Sequence, residues 1–179
     1  MYNEYRFDQK WNSTANITLD TRSLRSKKSE IQNGDGVSMS VHGIPYAYPC
    51  KYDLTVHNAS YLMIVGNNAF GKPEGWRVPS EIVDGMESTI AVAETKRTDI
   101  HWLSPRDFVF DQMSLTVNDG PNSISSDHPR GPAVLFCDGV VYRLNPAIDR
   151  DTLRAMLTIN GGEDVSRVRL VKNGLIVEP

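Results

Sequence analysis

The chain has 179 residues, of which 40% are hydrophobic and 23% charged, with a formal net charge of -3. That is enough for one domain with its own core, and the composition is globular, not disordered. A slightly acidic chain without a Lys/Arg stripe lacks the electrostatic footprint of a nucleic-acid binder.

The one basic cluster, Arg22 to Lys28, is interleaved with serines and reads as a solvated segment. No apolar run approaches the roughly 20 residues a membrane helix needs, and the polar start Tyr2-Asn3-Glu4-Tyr5 is no signal peptide. The polypeptide as given is therefore expected to show no membrane affinity. Cys50 and Cys137 form no C-x-x-C motif and are too few for a disulfide framework. A single bridge between them is the alternative for an exported chain. Cys137 by itself reads as a small buried apolar residue.

In chain order, Tyr2, Tyr5 and Phe7 suggest a short helix or turn, and residues 20–36 are a loop rich in Ser, Lys, Arg, Asn and Gly. Val37 to Val41 alternates like a strand, and Ile44 to Cys50, with two prolines, is extended but irregular. Ser60 to Val65 is a buried strand ending at Gly66, and a Gly/Asn-bearing loop runs on to Trp76. Asp84-Gly85 makes a turn, and Ser88 to Glu94 forms a strand with Ile90 and Val92 on one face. Leu115 to Asn122 reads as a strand followed by a turn.

The most ordered stretch is His128 to Leu144. Two apolar runs, Ala133–Cys137 and Val140–Leu144, flank Asp138-Gly139, a strong signal for a two-residue type I′ hairpin. That turn pairs Cys137 with Val140, Leu135 with Tyr142 and Ala133 with Leu144. Both faces are mostly apolar, so the hairpin is expected to be an inner pair of a sheet, with Leu135, Val140 and Tyr142 buried. A helix follows, with Asp149 as its cap, Leu153, Met156 and Leu157 on one face, and Gly161-Gly162 as its stop. The tail from Val168 to Val177 places Asn173-Gly174 between two apolar runs, which predicts a second hairpin.

His128, nine residues, then Asp138-Gly139 is an H-x9-D-G signature. It resembles the C-terminal region of a domain family of unknown biochemical function found in planctomycete prepilin-type proteins, whose members read like HPGGANVLFADGSVRFL. The resemblance extends along most of the chain. Phe7, Asp8, Trp11, Asn12-Ser13 and Asn16 match a segment that in the family lies downstream of the prepilin helix. Ser60 to Gly66 is similar to TNYVAVVG, and Val78 to Ile90 to ITDGTSNTILVVE. Trp102, Pro105, Asp107, Phe110 and Asp111 are similar to VPWTKPEDLPFD, and Asp149 to Glu163 to DPETLRALLTRNGGE. The resemblance implies an extracytoplasmic, pilin-like or pseudopilin-like protein of the cell envelope, with other pilin-like subunits as partners. The GFTLVEL-type motif and long apolar helix of such proteins do not stand in the sequence given. The isolated chain is accordingly expected to be a monomer or a weak oligomer.

Gly66 to Lys72 follows a strand and fits most of a phosphate-binding loop, but Pro73 stands where Ser or Thr would hold magnesium. His128, Cys137 and Asp138 suggest a Cys-His-Asp hydrolase, yet Cys137 shares a strand face with Leu135, and the family usually carries Ala there. No G-x-S-x-G elbow occurs. His42, His57, His101 and His128 are scattered without an H-E-x-x-H pattern. Asp84, Asp127 and Asp138 are candidate calcium ligands, since hard cations take carboxylate and carbonyl oxygens. The structural reading is preferred: His128 hydrogen-bonds across the hairpin, Asp138 and Gly139 form its turn, and no catalytic, cofactor or metal residue is assigned.

The expectation is therefore one α+β domain over residues 1–179, an antiparallel, sheet-rich, pilin-like fold with few short helices. Its function is expected to be non-enzymatic, structural or assembly-related. The first alternative is an extracellular carbohydrate- or peptide-binding module using aromatics such as Tyr46, Tyr48 and Trp76. The second is an enzyme of unrecognised type.

Overall fold

The computed structural model describes residues 4–19, 58–75, 77–96, 99–101 and 103–179. The readings for the loop at 20–36, the strand at 37–41, Cys50, His42, His57, Tyr46, Tyr48, Trp76 and Trp102 fall outside them.

The sheet grows from short apolar runs. Strands β1 (Tyr61–Val65), β2 (Ile90–Glu94), β3 (Phe108–Val109), β4 (Ala133–Phe136), β5 (Val141–Leu144) and β6 (Ile176–Val177) form one sheet in the order β3-β1-β2-β4-β5-β6. The described helices are α1 (residues 14–19), α2 (Arg150–Leu157) and α3 (Arg167–Lys172). This is a small α+β domain. The sheet is mixed and not purely antiparallel, because β3 runs parallel to β1, with Ile64 opposite Phe108. The β4–β5 hairpin is an inner pair, as expected.

Its register is one residue away from the expected one. Ala133 pairs with Arg143, Val134 with Tyr142 and Leu135 with Val141. Gly139 N–H donates to Phe136 O, and Phe136 N–H to Val140 O. The loop is thus three residues long: a tight turn closed by Gly139 at φ +87°, the geometry of a G1 bulge. One residue of slip exchanges partners across the whole ladder. Val134, Phe136 and Leu144 are buried and Tyr142 half-buried against the core, with the Phe136 and Tyr142 rings edge to face at 5.9 Å. Val140 is exposed and Leu135 only half-buried, which corrects the expected burial.

A second irregularity lies in β2. Its ladder with β4 shifts between Ile90 and Val92, so that Ile90 opposes Phe136 and Val92 opposes Leu135. Ile90 and Val92 therefore lie on opposite faces, not on one. Ile90 and Ala93 join the core with Leu62 and Ile64 of β1, and Leu153, Met156 and Leu157 of α2 and Leu170 of α3 complete it. Burial of an apolar face against a sheet is the main stabilising term for so short a helix.

Helix α2 starts as its sequence predicts: the Asp149 side chain accepts from Thr152 N–H at 2.8 Å. It ends at Thr158, before the two glycines. Gly161 and Gly162 instead give their N–H groups to Asp84, at 2.6 and 3.1 Å, beside the expected turn at Asp84-Gly85. The second hairpin does not form. Residues 167–172 are helical, and Gly174 (φ +68°) closes α3 by donating to Val171 O while Leu175 donates to Leu170 O. That is a Schellman motif, in which Asn-Gly ends a helix. The strand expected from Leu115 is absent as well; residues 114–123 hold one isolated bridge, between Ser114 and Ser123.

Near the N-terminus, Asn16 is fully buried, and its side chain bonds Arg6 N–H, Arg6 O and Lys10 O. Trp11 stacks on His101 at 5.4 Å.

Candidate functional site

The signature residues stand at opposite ends of β4 and belong to two separate clusters. At the upstream end, His128-Pro129-Arg130-Gly131 is a turn closed by Gly131 N–H on His128 O. His128 Nε2 faces Glu94 Oε1 at 3.8 Å. His128 thus faces the last residue of β2, which itself bonds the hairpin through Ala133 and Arg143.

Glu94 organises this end. It is 8% exposed. Oε1 accepts from the Ser126 hydroxyl at 2.6 Å, and Oε2 accepts from Ala133 N–H at 2.7 Å and from Arg143 Nη1 at 3.1 Å. Ser126 Oγ in turn accepts from His128 N–H. Arg143 also donates to Gly131 O. The reason is positional. Glu94, Ala133 and Arg143 lie on neighbouring strands and on one sheet face, and the small Ala133 side chain lets the two charged chains meet over it. A buried carboxylate is tolerable only with such partners.

At the other end, Asp138 Oδ2 lies 2.8 Å from Arg167 Nη2 at the start of α3. The N–H groups of that nitrogen are not aimed at an acceptor, so the contact is an ion pair more than a directed hydrogen bond. Arg167 Nε donates to Glu87 O, and its guanidinium lies 4.7 Å from the Phe136 ring centroid and 5.5 Å from that of Tyr142. Asp138 also accepts from Val140 N–H within the turn. The Arg167 guanidinium holds the Asp138 carboxyl below its ordinary pKa. Next to Asp138, Cys137 carries a free thiol whose pKa is pushed up to about 12, first by burial and then by the Asp138 charge. A thiol so disposed stays protonated, the opposite of an activated nucleophile. His128, Cys137 and Asp138 do not come together as a triad.

The calcium candidates also stand apart. Asp127 pairs with Lys96 at 3.0 Å, Asp138 with Arg167, and Asp84 with two glycine amides. Among the described residues, no group of three or more His, Cys, Asp or Glu side chains is placed to hold a metal ion. The loop at Gly66–Lys72 has the opposite polarity to a phosphate cradle. Gly66 N–H donates to Gly71 O, Gly71 N–H to Ile64 O and Ala69 N–H to Gly66 O. Its carbonyls at Gly66, Asn67 and Phe70 receive the guanidinium of Arg77, whose side chain is 7% exposed. A phosphate needs converging N–H groups, and here converging oxygens hold a cation.

Glu94, Ser126, Arg143, Arg167 and Arg77 were not singled out from sequence. One signal was present for two of them: Glu94 ends the apolar run Ile-Ala-Val-Ala, and Arg143 interrupts Val-Val-Tyr-Leu. A charge at an inner-strand position asks for a partner.

Fold and site define a small α+β domain whose signature residues are tied into internal charge clusters. Comparison of the chain with protein-family models, with curated proteins and with solved structures found no match.

Proposed function

We propose that this chain is the globular region of a pilin-like or pseudopilin-like protein, non-enzymatic, with a structural or assembly role in the cell envelope. The observation that supports it is the use of the H-x9-D-G residues. His128 faces buried Glu94, Asp138 pairs with Arg167, and Gly139 closes a turn that only a left-handed conformation completes. Side chains so engaged fix the β4–β5 hairpin within the sheet, which is what a scaffold needs from a signature; catalysis needs a nucleophile and base within reach of each other. Among the described residues, no helix is long and apolar enough to cross a membrane. In this reading anchoring and most of the subunit packing belong to a prepilin-type helix. The globular part alone then buries less than the roughly 1,000 Å² that a stable interface requires.

The test is a fusion of this chain to a prepilin-type leader and helix in a host with the processing peptidase. The processed fusion is expected with the membrane or in surface filaments, and light scattering of the isolated chain at micromolar concentration is expected to report a monomer. A fusion that remains in the soluble fraction after confirmed processing sinks the proposal.

A further inference from the structure

At the β3 edge of the sheet, away from both signature clusters, lies a groove of about 570 Å³. Small-molecule sites span roughly 300–1,000 Å³. Val65, Val109 and Met113 supply accessible apolar surface to it above the buried Leu62, Ile100 and Phe108, and Lys72, Arg106 and Asp107 supply charge.

The charges are set up in a particular way. Lys72 Nζ lies 2.8 Å from Glu81 Oε1, and Arg77 Nη1 approaches the same oxygen at 3.4 Å. Two cations share one carboxylate, so a unit of positive charge is left over beside the groove. The Lys72 ammonium keeps donors to spare, while Glu81, anchored by Val78 N–H at 2.8 Å, holds it in place. Arg106 is steadied by Asp99, through its carboxylate and its carbonyl oxygen. Asp107 has the opposite situation. Its Oδ1 accepts from Met63 N–H at 3.0 Å, and its other oxygen has no partner among the described residues. Protein atoms crowd the carboxyl and raise its pKa against the pull of that N–H, although the residue as a whole is solvent-exposed. A bound cation would relieve that cost.

We propose that this groove binds short peptides of two or three residues that carry both free termini. The amino group sits on Asp107, the carboxylate is met by Lys72 and Arg106, and an apolar side chain packs on Val65, Val109 and Met113. The other simple ligand classes leave something unanswered. A fatty acid brings its carboxylate to Asp107, an amine brings its charge to Lys72, and a neutral sugar uses neither charge. The inference does not depend on the pilin-like reading.

The experiment is calorimetric titration of the whole chain at neutral pH with the dipeptide Leu-Leu, its N-acetyl form, its C-terminal amide, and maltose. Leu-Leu is expected to bind with a millimolar Kd or tighter. Acetylation and amidation are each expected to weaken binding by about tenfold, as the loss of one charge-assisted contact does. Asp107→Asn still accepts Met63 N–H, so it keeps the local fold and isolates the charge. In that variant, Leu-Leu and its acetyl form are expected to bind equally. In Lys72→Met the preference for the free carboxylate is expected to fall. No heat with Leu-Leu, equal binding of the acetylated form by the unmodified chain, or a preference for maltose would overturn the proposal.

Discussion

Glu94 Oε1 stands 3.8 Å from His128 Nε2, while Glu94 Oε2 stands 3.1 Å from Arg143 Nη1. One buried carboxylate thus links the signature histidine to the far strand of the central hairpin. It also takes the Ser126 hydroxyl and the Ala133 amide. The turn that carries His128, the start of β4 and the end of β5 are all held through β2.

Removing this acceptor leaves several donors stranded at once. Glu94→Ala is expected to cost about 3–5 kcal/mol, the usual range for breaking a buried charge pair, and Glu94→Gln distinctly less because its carbonyl still accepts. Urea unfolding of both variants gives the comparison. Equal losses would mean that cavity formation, not the lost acceptor, sets the cost.

Two glycines of the signature region separate conformational strain from steric clash. Gly139 (φ +87°) has open space where a Cβ would stand, so Gly139→Val is expected to cost about 1–2 kcal/mol through backbone strain alone. At Gly131 (φ +84°) a Cβ would clash with the Leu144 carbonyl oxygen, in addition to the strain. Gly131→Ala is therefore expected to lower the melting temperature more than Gly139→Val does, although it adds the smaller side chain. The reverse order would contradict the close approach of the His128 turn to β5.

The Asp138–Arg167 pair gives a dependence on pH. The folded-state pKa of Asp138 is lowered, chiefly by Arg167, so its contribution is present above the unfolded value near 4 and is lost as pH falls through the folded value. The stability gap between the unmodified chain and Asp138→Asn is expected to be constant above about pH 5 and to narrow below about pH 4. Thermal melts across that range measure it. A gap that widens on acidification would reverse the sign and refute the pairing.

Arg77 fills the loop at Gly66–Lys72 with three donated contacts to carbonyl oxygens. Arg77→Met keeps much of the apolar stem and removes the donors, and it is expected to cost about 2–4 kcal/mol. Added phosphate is expected to leave the stability of the unmodified chain unchanged, because the loop offers it oxygens. Stabilisation by phosphate that vanishes on mutating this loop would restore the nucleotide reading.

Local chemistry was legible where one segment decided the outcome by itself. The Ser60–Val65 strand, the Asp84-Gly85 turn, the inner hairpin and the Asp149 cap all follow from residues within a few positions of each other. Where two local solutions suited the same residues, tertiary packing chose. Asp138-Gly139 supports a two-residue or a three-residue loop, since both use glycine at positive φ. Only the three-residue loop puts Val134, Phe136, Tyr142 and Leu144 on the face that meets α2 and α3. Asn173-Gly174 likewise serves a hairpin or a helix end, and packing of Leu170 into the core selected the helix.

The sequence by itself determined the α+β class and the inner hairpin, because composition and short-range periodicity carry that information. The charge clusters were decided by tertiary structure alone. Glu94 finds Ser126, Ala133 and Arg143 at separations of 32, 39 and 49 residues, and nothing in local spacing relates them. Sheet order brings β2, β4 and β5 side by side, and a buried carboxylate then requires whatever donors that order supplies.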